Sequence, residues 1–150
     1  AELGRDLDAA YRNAYLSLAL ELDAVEVSLR IHPDAWFDGQ NLKNRLKKEG
    51  IGGWKALLNA LDGWFLRLHD WKGEWRCGAL QPEQLEEFLK YYTPGDHQLA
   101  VERRWPAPEG ARGGALEPRC SDELQRELLR LVPRYRFTGW SSESNHLLTR

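Results

Sequence analysis

The stretch Gly63–Gly78, GWFLRLHDWKGEWRCG, decides how the rest of the chain is read. Two apolar-rich runs flank a polar turn containing Gly73, the pattern of a β-hairpin. Trp64, Leu66 and Leu68 fall on one face of the first run, and Phe65, Arg67 and His69 on the other. In the second run Trp75 and Cys77 oppose Glu74 and Arg76. An aromatic on each face of the first strand places it inside a sheet rather than at its rim. The turn sets a His-Asp pair, His69 and Asp70, beside Trp71, Lys72 and Glu74.

Toward the N-terminus, Asp62-Gly63 stops a helical stretch, Trp54–Leu61, whose Trp54, Leu57, Leu58 and Leu61 share a face. Gly50, Gly52 and Gly53 separate it from a basic helix, Asn41–Glu49, with Leu42 and Leu46 inward. Asp34–Gln40 reads as a loop bearing Trp36 and Phe37 and closed by Asp38-Gly39. Val25, Val27, Leu29 and Ile31 alternate with Glu26, Ser28 and Arg30, a strand with one wet face. His32-Pro33-Asp34 ends that strand, because proline cannot donate to a ladder. Residues 3–22 read as a helix, with Leu3, Leu7, Ala10 or Tyr11, Ala14, Leu18 and Leu22 at three- and four-residue steps.

Toward the C-terminus, Gln81–Tyr92 is the best-marked helix. Pro82 suits its first position, Glu83, Glu86 and Glu87 suit its dipole, and Leu85, Phe88, Leu89 and Tyr92 form its apolar stripe. Gln98–Trp105 alternates again as a strand. Pro106–Arg119, PAPEGARGGALEPR, is a long flexible loop by composition. Ser121 caps a helix, Asp122–Leu131. Arg134–Trp140 reads as a last strand and Ser141–Arg150 as a polar tail. The sum is one α+β domain: a mixed or antiparallel sheet of about five strands, with helices packed on one face.

A chain of 150 residues, 42% hydrophobic and 29% charged, suits one soluble globular domain. A net charge of −2 argues against a general nucleic-acid coat protein. No apolar run approaches the roughly 20 residues of a membrane span, and AELGRDLD has no signal-peptide pattern. A cytoplasmic protein without membrane contact is expected. Ala1 fits a small protein that has lost its initiator Met, and an excised domain fits almost as well. Cys77 and Cys120 lack metal-site spacing; they read as reduced thiols, with a long-range disulfide only in an exported protein. No phosphate-binding, zinc-protease, nucleophile-elbow or calcium-loop motif occurs, and Gly50-Ile51-Gly52-Gly53 reads as a helix break. No cofactor and no metal are expected.

Three histidines have an acid close in sequence: His32 with Asp34, His69 with Asp70, and His97 with Asp96. A His oriented by a carboxylate is what general-base catalysis needs. A small hydrolase or nuclease would use such a pair, with Arg67 or Arg76 stabilising developing negative charge. Turns are also built of such residues. Between residues 41 and 55 five cations, Lys43, Arg45, Lys47, Lys48 and Lys55, face one acid, Glu49. Residues 1–29 hold six acids against two cations, so charge is segregated. Seven Trp is high for this length, and Trp36, Trp71 and Trp75 sit in or beside polar turns. Aromatics among cations mark interface hot spots and also stack unpaired bases. The favoured expectation is a binding module of inhibitor, immunity, adaptor or anti-defence type, with a protein partner. It would use Trp71, Lys72 and Glu74 at the hairpin tip, Trp36 and Asp38, and the basic residues Lys43, Lys47 and Lys48. Binding of RNA or single-stranded nucleic acid through the basic helix and exposed Trp is the other alternative.

Overall fold

Alternation with a period of two builds the sheet, and the computed structural model describes it through residues 13–69, 75–106 and 118–139. Its strands are β1 (Tyr15–Leu20), β2 (Ala24–Ile31), β3 (Phe65–Leu68), β4 (Trp75–Arg76) and β5 (Leu99–Pro106). Their order is β1-β2-β5-β3-β4, and every neighbouring pair is antiparallel. The β3/β4 hairpin exists, and β3 lies inside the sheet between β5 and β4.

Register puts Leu29 opposite Val101, and Val101 opposite Leu66, so three strands present apolar side chains to one side. On that side lie the helices α1 (Trp36–Glu49), α2 (Gly52–Asn59), α3 (Pro82–Tyr91), α4 (Pro118–Arg130) and α5 (Val132–Gly139). Val27, Leu29, Ile31, Leu66, Leu68, Leu99 and Val101 meet Leu42, Leu46, Trp54, Leu58, Leu85, Phe88 and Leu131 in one core. Phe88 is its aromatic centre. Trp75 meets it edge-on at 5.1 Å, and Tyr92 stacks on it at 5.9 Å. Each such side chain removed from water stabilises the fold by about 1.5–3 kcal/mol.

Three expectations are corrected. The helix expected over 3–22 is a strand from Tyr15 to Leu20, while residues 3–12 lie outside the described residues. Leu16, Leu18 and Leu20 face Leu29, Val27 and Val25 across the β1/β2 ladder. A turn closed by Glu21 N–H donating to the Ala24 carbonyl at 2.8 Å supplies a partner strand that an isolated helix lacks. The loop expected over Asp34–Gln40 is a single 3₁₀ turn, Pro33–Ala35, running into α1 at Trp36. The strand expected over Arg134–Trp140 is instead α5 as far as Gly139. Pro133 fits a first helical turn, and the Thr138 hydroxyl donates to the Arg134 carbonyl one turn back at 2.9 Å.

Two further expectations fall outside the description. Residues 107–117 of the expected loop and 141–150 of the expected tail are not among the described residues; from residue 118 the chain is already in α4. No described helix is long and apolar enough to cross a membrane.

Candidate functional site

Asp70, Trp71, Lys72 and Glu74 lie outside the described residues, so the tip is located only by its flanks, His69 and Trp75. Trp75 itself is core, 6% exposed.

The sheet brings three histidines to one end. Ile31, Leu99 and Leu68 stand side by side in register, so His32, His97 and His69 all follow or precede that row. The His69 N–H donates to the Gln98 carbonyl at 2.9 Å. The ring nitrogens of His32 and His97 nonetheless do local work. His32 Nδ1 accepts the Asp34 N–H at 3.1 Å, capping the 3₁₀ turn. His97 Nδ1 accepts the Thr93 N–H at 3.0 Å in the turn after α3. Among the described residues no group of three or more His, Cys, Asp or Glu is arranged to hold a metal ion. Arg67, which the alternative reading gave to catalysis, donates to Glu102 at 2.7 Å, and Arg76 faces Asp62 at 3.8 Å.

The wet face of the sheet carries a closed polar network. Arg30 pairs with Glu26, reaches Glu102 at 3.3 Å and donates to the Ser28 hydroxyl at 3.0 Å. Glu102 is 8% exposed. Burial pushes its carboxyl above the usual range and Glu26 adds to this; Arg67 and Arg30 pull the other way. Two acids and two guanidiniums balance one another there.

Helix α1 carries the open candidate surface. At 100° per residue, Trp36, Gln40, Lys43 and Lys47 recur at steps of four, three and four along one face. The adjoining, core-facing side buries Leu42 and Leu46. Trp36 is 59% exposed, a large apolar ring left in water, and Phe37 meets it edge-on at 6.0 Å. Lys43 Nζ donates to the Tyr92 carbonyl at 2.9 Å, a cation at the C-terminal end of α3 where the helix dipole favours one. Beside this stripe runs a groove of about 410 Å³ between α1 and α3, lined by Gln40, Lys43, Asn44, Leu46, Lys47 and Leu89. Lys48 lies on the neighbouring flank with Phe37 and Asn44.

Arg45 of the basic helix and Asp38, expected beside Trp36 as a contact, have other duties. Arg45 donates to the Phe137 carbonyl at 2.8 Å, stacks over the Phe137 ring at 3.6 Å and pairs with Glu49, so it fastens α5 to α1. Asp38 is half-buried rather than an exposed turn acid, and its carboxylate accepts the Ala14 N–H at 2.6 Å. Burial raises its pKa, and the Ala14 hydrogen bond opposes the rise. Gln40, Asn44 and Leu89 were not anticipated at the site. The spacing Trp36–Gln40–Lys43–Lys47 held that signal, hidden by reading Asp38-Gly39 as a turn.

Comparison with known protein families, curated proteins and solved structures found no match to this chain.

Proposed function

We propose that this protein is a small binding module that docks on an acidic surface of a protein partner through the α1 face of Trp36, Gln40, Lys43 and Lys47. The observation that carries this reading is Trp36, mostly exposed on the same helix face as two lysines. Tryptophan is enriched among the few residues that dominate interface energies, and flanking lysines speed the encounter with an acidic patch. The groove beside it offers an apolar floor, Leu46 and Leu89, between polar walls. An inhibitor, immunity, adaptor or anti-defence protein works through such a contact. The free, buried thiol of Cys77 suits a reducing compartment such as the cytoplasm.

Affinity capture from native lysate tests this, with wild type beside Trp36→Ala and Lys47→Glu. Both variants change exposed side chains, so thermal melts should match wild type. The expected result is one protein captured by wild type and depleted about tenfold or more by each variant. A partner retained equally by all three overturns the surface. Capture abolished by nuclease, with oligonucleotide affinity falling steeply with salt, would replace the protein partner by nucleic acid.

A further inference from the structure

Strand β5 breaks its own pattern at Arg103. Leu99, Val101, Arg103 and Trp105 share the apolar side of the sheet, and Arg103 pairs in register with the fully buried Val27. A guanidinium at a position where the period demands an apolar residue calls for a reason beyond packing. Arg103 is firmly mounted. Its guanidinium lies over the Trp105 ring at 4.8 Å, and its central carbon is 3.4 Å from where a Cβ on Gly63 would stand. Behind it, Trp64 meets Trp105 edge-on at 6.0 Å, and the buried Trp64 Nε1 has no hydrogen-bond acceptor.

Arg103 and Trp105 open onto a cleft of about 390 Å³ between the end of β5 and α4, with Val25 and Leu124 as apolar floor and Arg126 on the helix side. Two acids, Glu123 and Glu127, also line it. Glu127 is held by Arg130 at 3.0 Å, and Glu123 has an interaction of its own. Among the described residues neither Arg103 nor Arg126 has an ion-pair partner. Counting Arg130 with the Glu127 it holds, three guanidiniums, Arg103, Arg126 and Arg130, stand at the cleft against two carboxylates, beside one indole.

We propose that this cleft binds a small planar aromatic anion, its ring against Trp105 and its carboxylate or phosphate between Arg103 and Arg126. Guanidinium groups stack on aromatic planes and grip carboxylate and phosphate oxygens in pairs. The volume lies in the range of small-ligand sites. The cleft shares no residue with the α1 groove, so the proposal stands apart from the docking reading.

Calorimetric titration of the full chain with 2-naphthoate, adenosine 5′-monophosphate and neutral methyl 2-naphthoate tests it, with the Trp105 indole N–H followed by ¹H–¹⁵N spectroscopy. Saturable binding of at least one anion is expected, with the Trp105 signal displaced. The methyl ester should bind at least about tenfold more weakly, because it offers no charge to the guanidiniums. Arg126→Gln lies on an exposed helix position, keeps the wild-type melt and should weaken the anion about tenfold. Arg103→Gln gives the same direction where it folds. Whichever anion binds tells carboxylate from phosphate as the source. No saturable binding by either anion, equal binding of ester and acid, or displacements confined to α1 would overturn the site.

Discussion

Asp38 shows how much one side chain can do inside a marginal fold. Its carboxylate satisfies the N–H of Ala14, which is 4% exposed and stands just before β1. Asp38→Ala strands that donor and should cost about 1–3 kcal/mol in urea unfolding. Asp38→Asn keeps an acceptor of the same shape and should cost much less. The pH dependence follows from two carboxyls, Asp38 and Glu102, whose folded pKa values burial raises. The protonated form is the one the fold prefers. Their contribution is thus complete below the unfolded carboxylate range and is lost as pH rises through the folded values. Glu102→Gln removes one of the two, so its unfolding free energy should fall less than that of wild type between about pH 4 and pH 7. An identical fall in both would show that Glu102 is not the titrating group. Cys77 supplies a third test at this scale. Burial pushes its thiol up to about 12, with Arg134 opposing, so it is neutral at ordinary pH. In a Cys120→Ser background, Cys77 should not react with a disulfide reagent at about pH 8 until the protein unfolds.

Helix α1 explains what local sequence does and does not reveal. Glycine inside a helix costs about 1 kcal/mol relative to alanine, and Asp-Gly is a turn signal, so Trp36–Gln40 reads as loop. The reason for Gly39 lies 53 positions away: a Cβ there would run into the Tyr92 hydroxyl, with the Pro94 side chain 3.1 Å off. Gly39→Ala should therefore lower stability by about 1–3 kcal/mol by overpacking, against its helix propensity. A stabilised variant in thermal unfolding would show that Tyr92 moves aside cheaply. The other misread elements have the same cause. The leucines of β1 fit a helical spacing when residues 3–14 are counted with them, and only pairing with β2 selects the strand. Arg134 and Tyr135 alternate like a strand, yet Arg134 is buried and donates to the Leu57 carbonyl at 2.9 Å. That long-range bond leaves no trace in period or composition. What was legible was β2, the β3/β4 hairpin, α3 and β5, where periodicity and turn residues agree. Of the candidate site, Trp36, Lys43 and Lys47 were legible as residue types. Their sharing of one face was not, because it depends on where α1 begins.

The whole molecule is an open sheet covered by helices on one side, and an open sheet has two edges. At one edge, β4 has only two residues and an exposed Arg76, devices that discourage a foreign strand. At the other, β1 presents six residues, Tyr15–Leu20, without a charge or proline, and no described strand pairs with its outer side. Leu18 and Leu20 are 41% and 45% exposed although they belong to the apolar side of the sheet. Long, uncharged, apolar edges template pairing with another chain. Wild type should therefore self-associate as concentration rises, seen as a growing weight-average sedimentation coefficient. Leu18→Lys places a charge on that edge and should hold the coefficient constant over the same range. Leu18 is only partly buried, so the substitution should cost no more than about 1 kcal/mol in unfolding free energy. A wild type that sediments as a monomer at every concentration would mean that the β1 edge is already protected. A variant that associates as strongly as wild type would move the contact elsewhere, with the exposed Trp36 face of α1 next to be tested by Trp36→Ala in the same measurement.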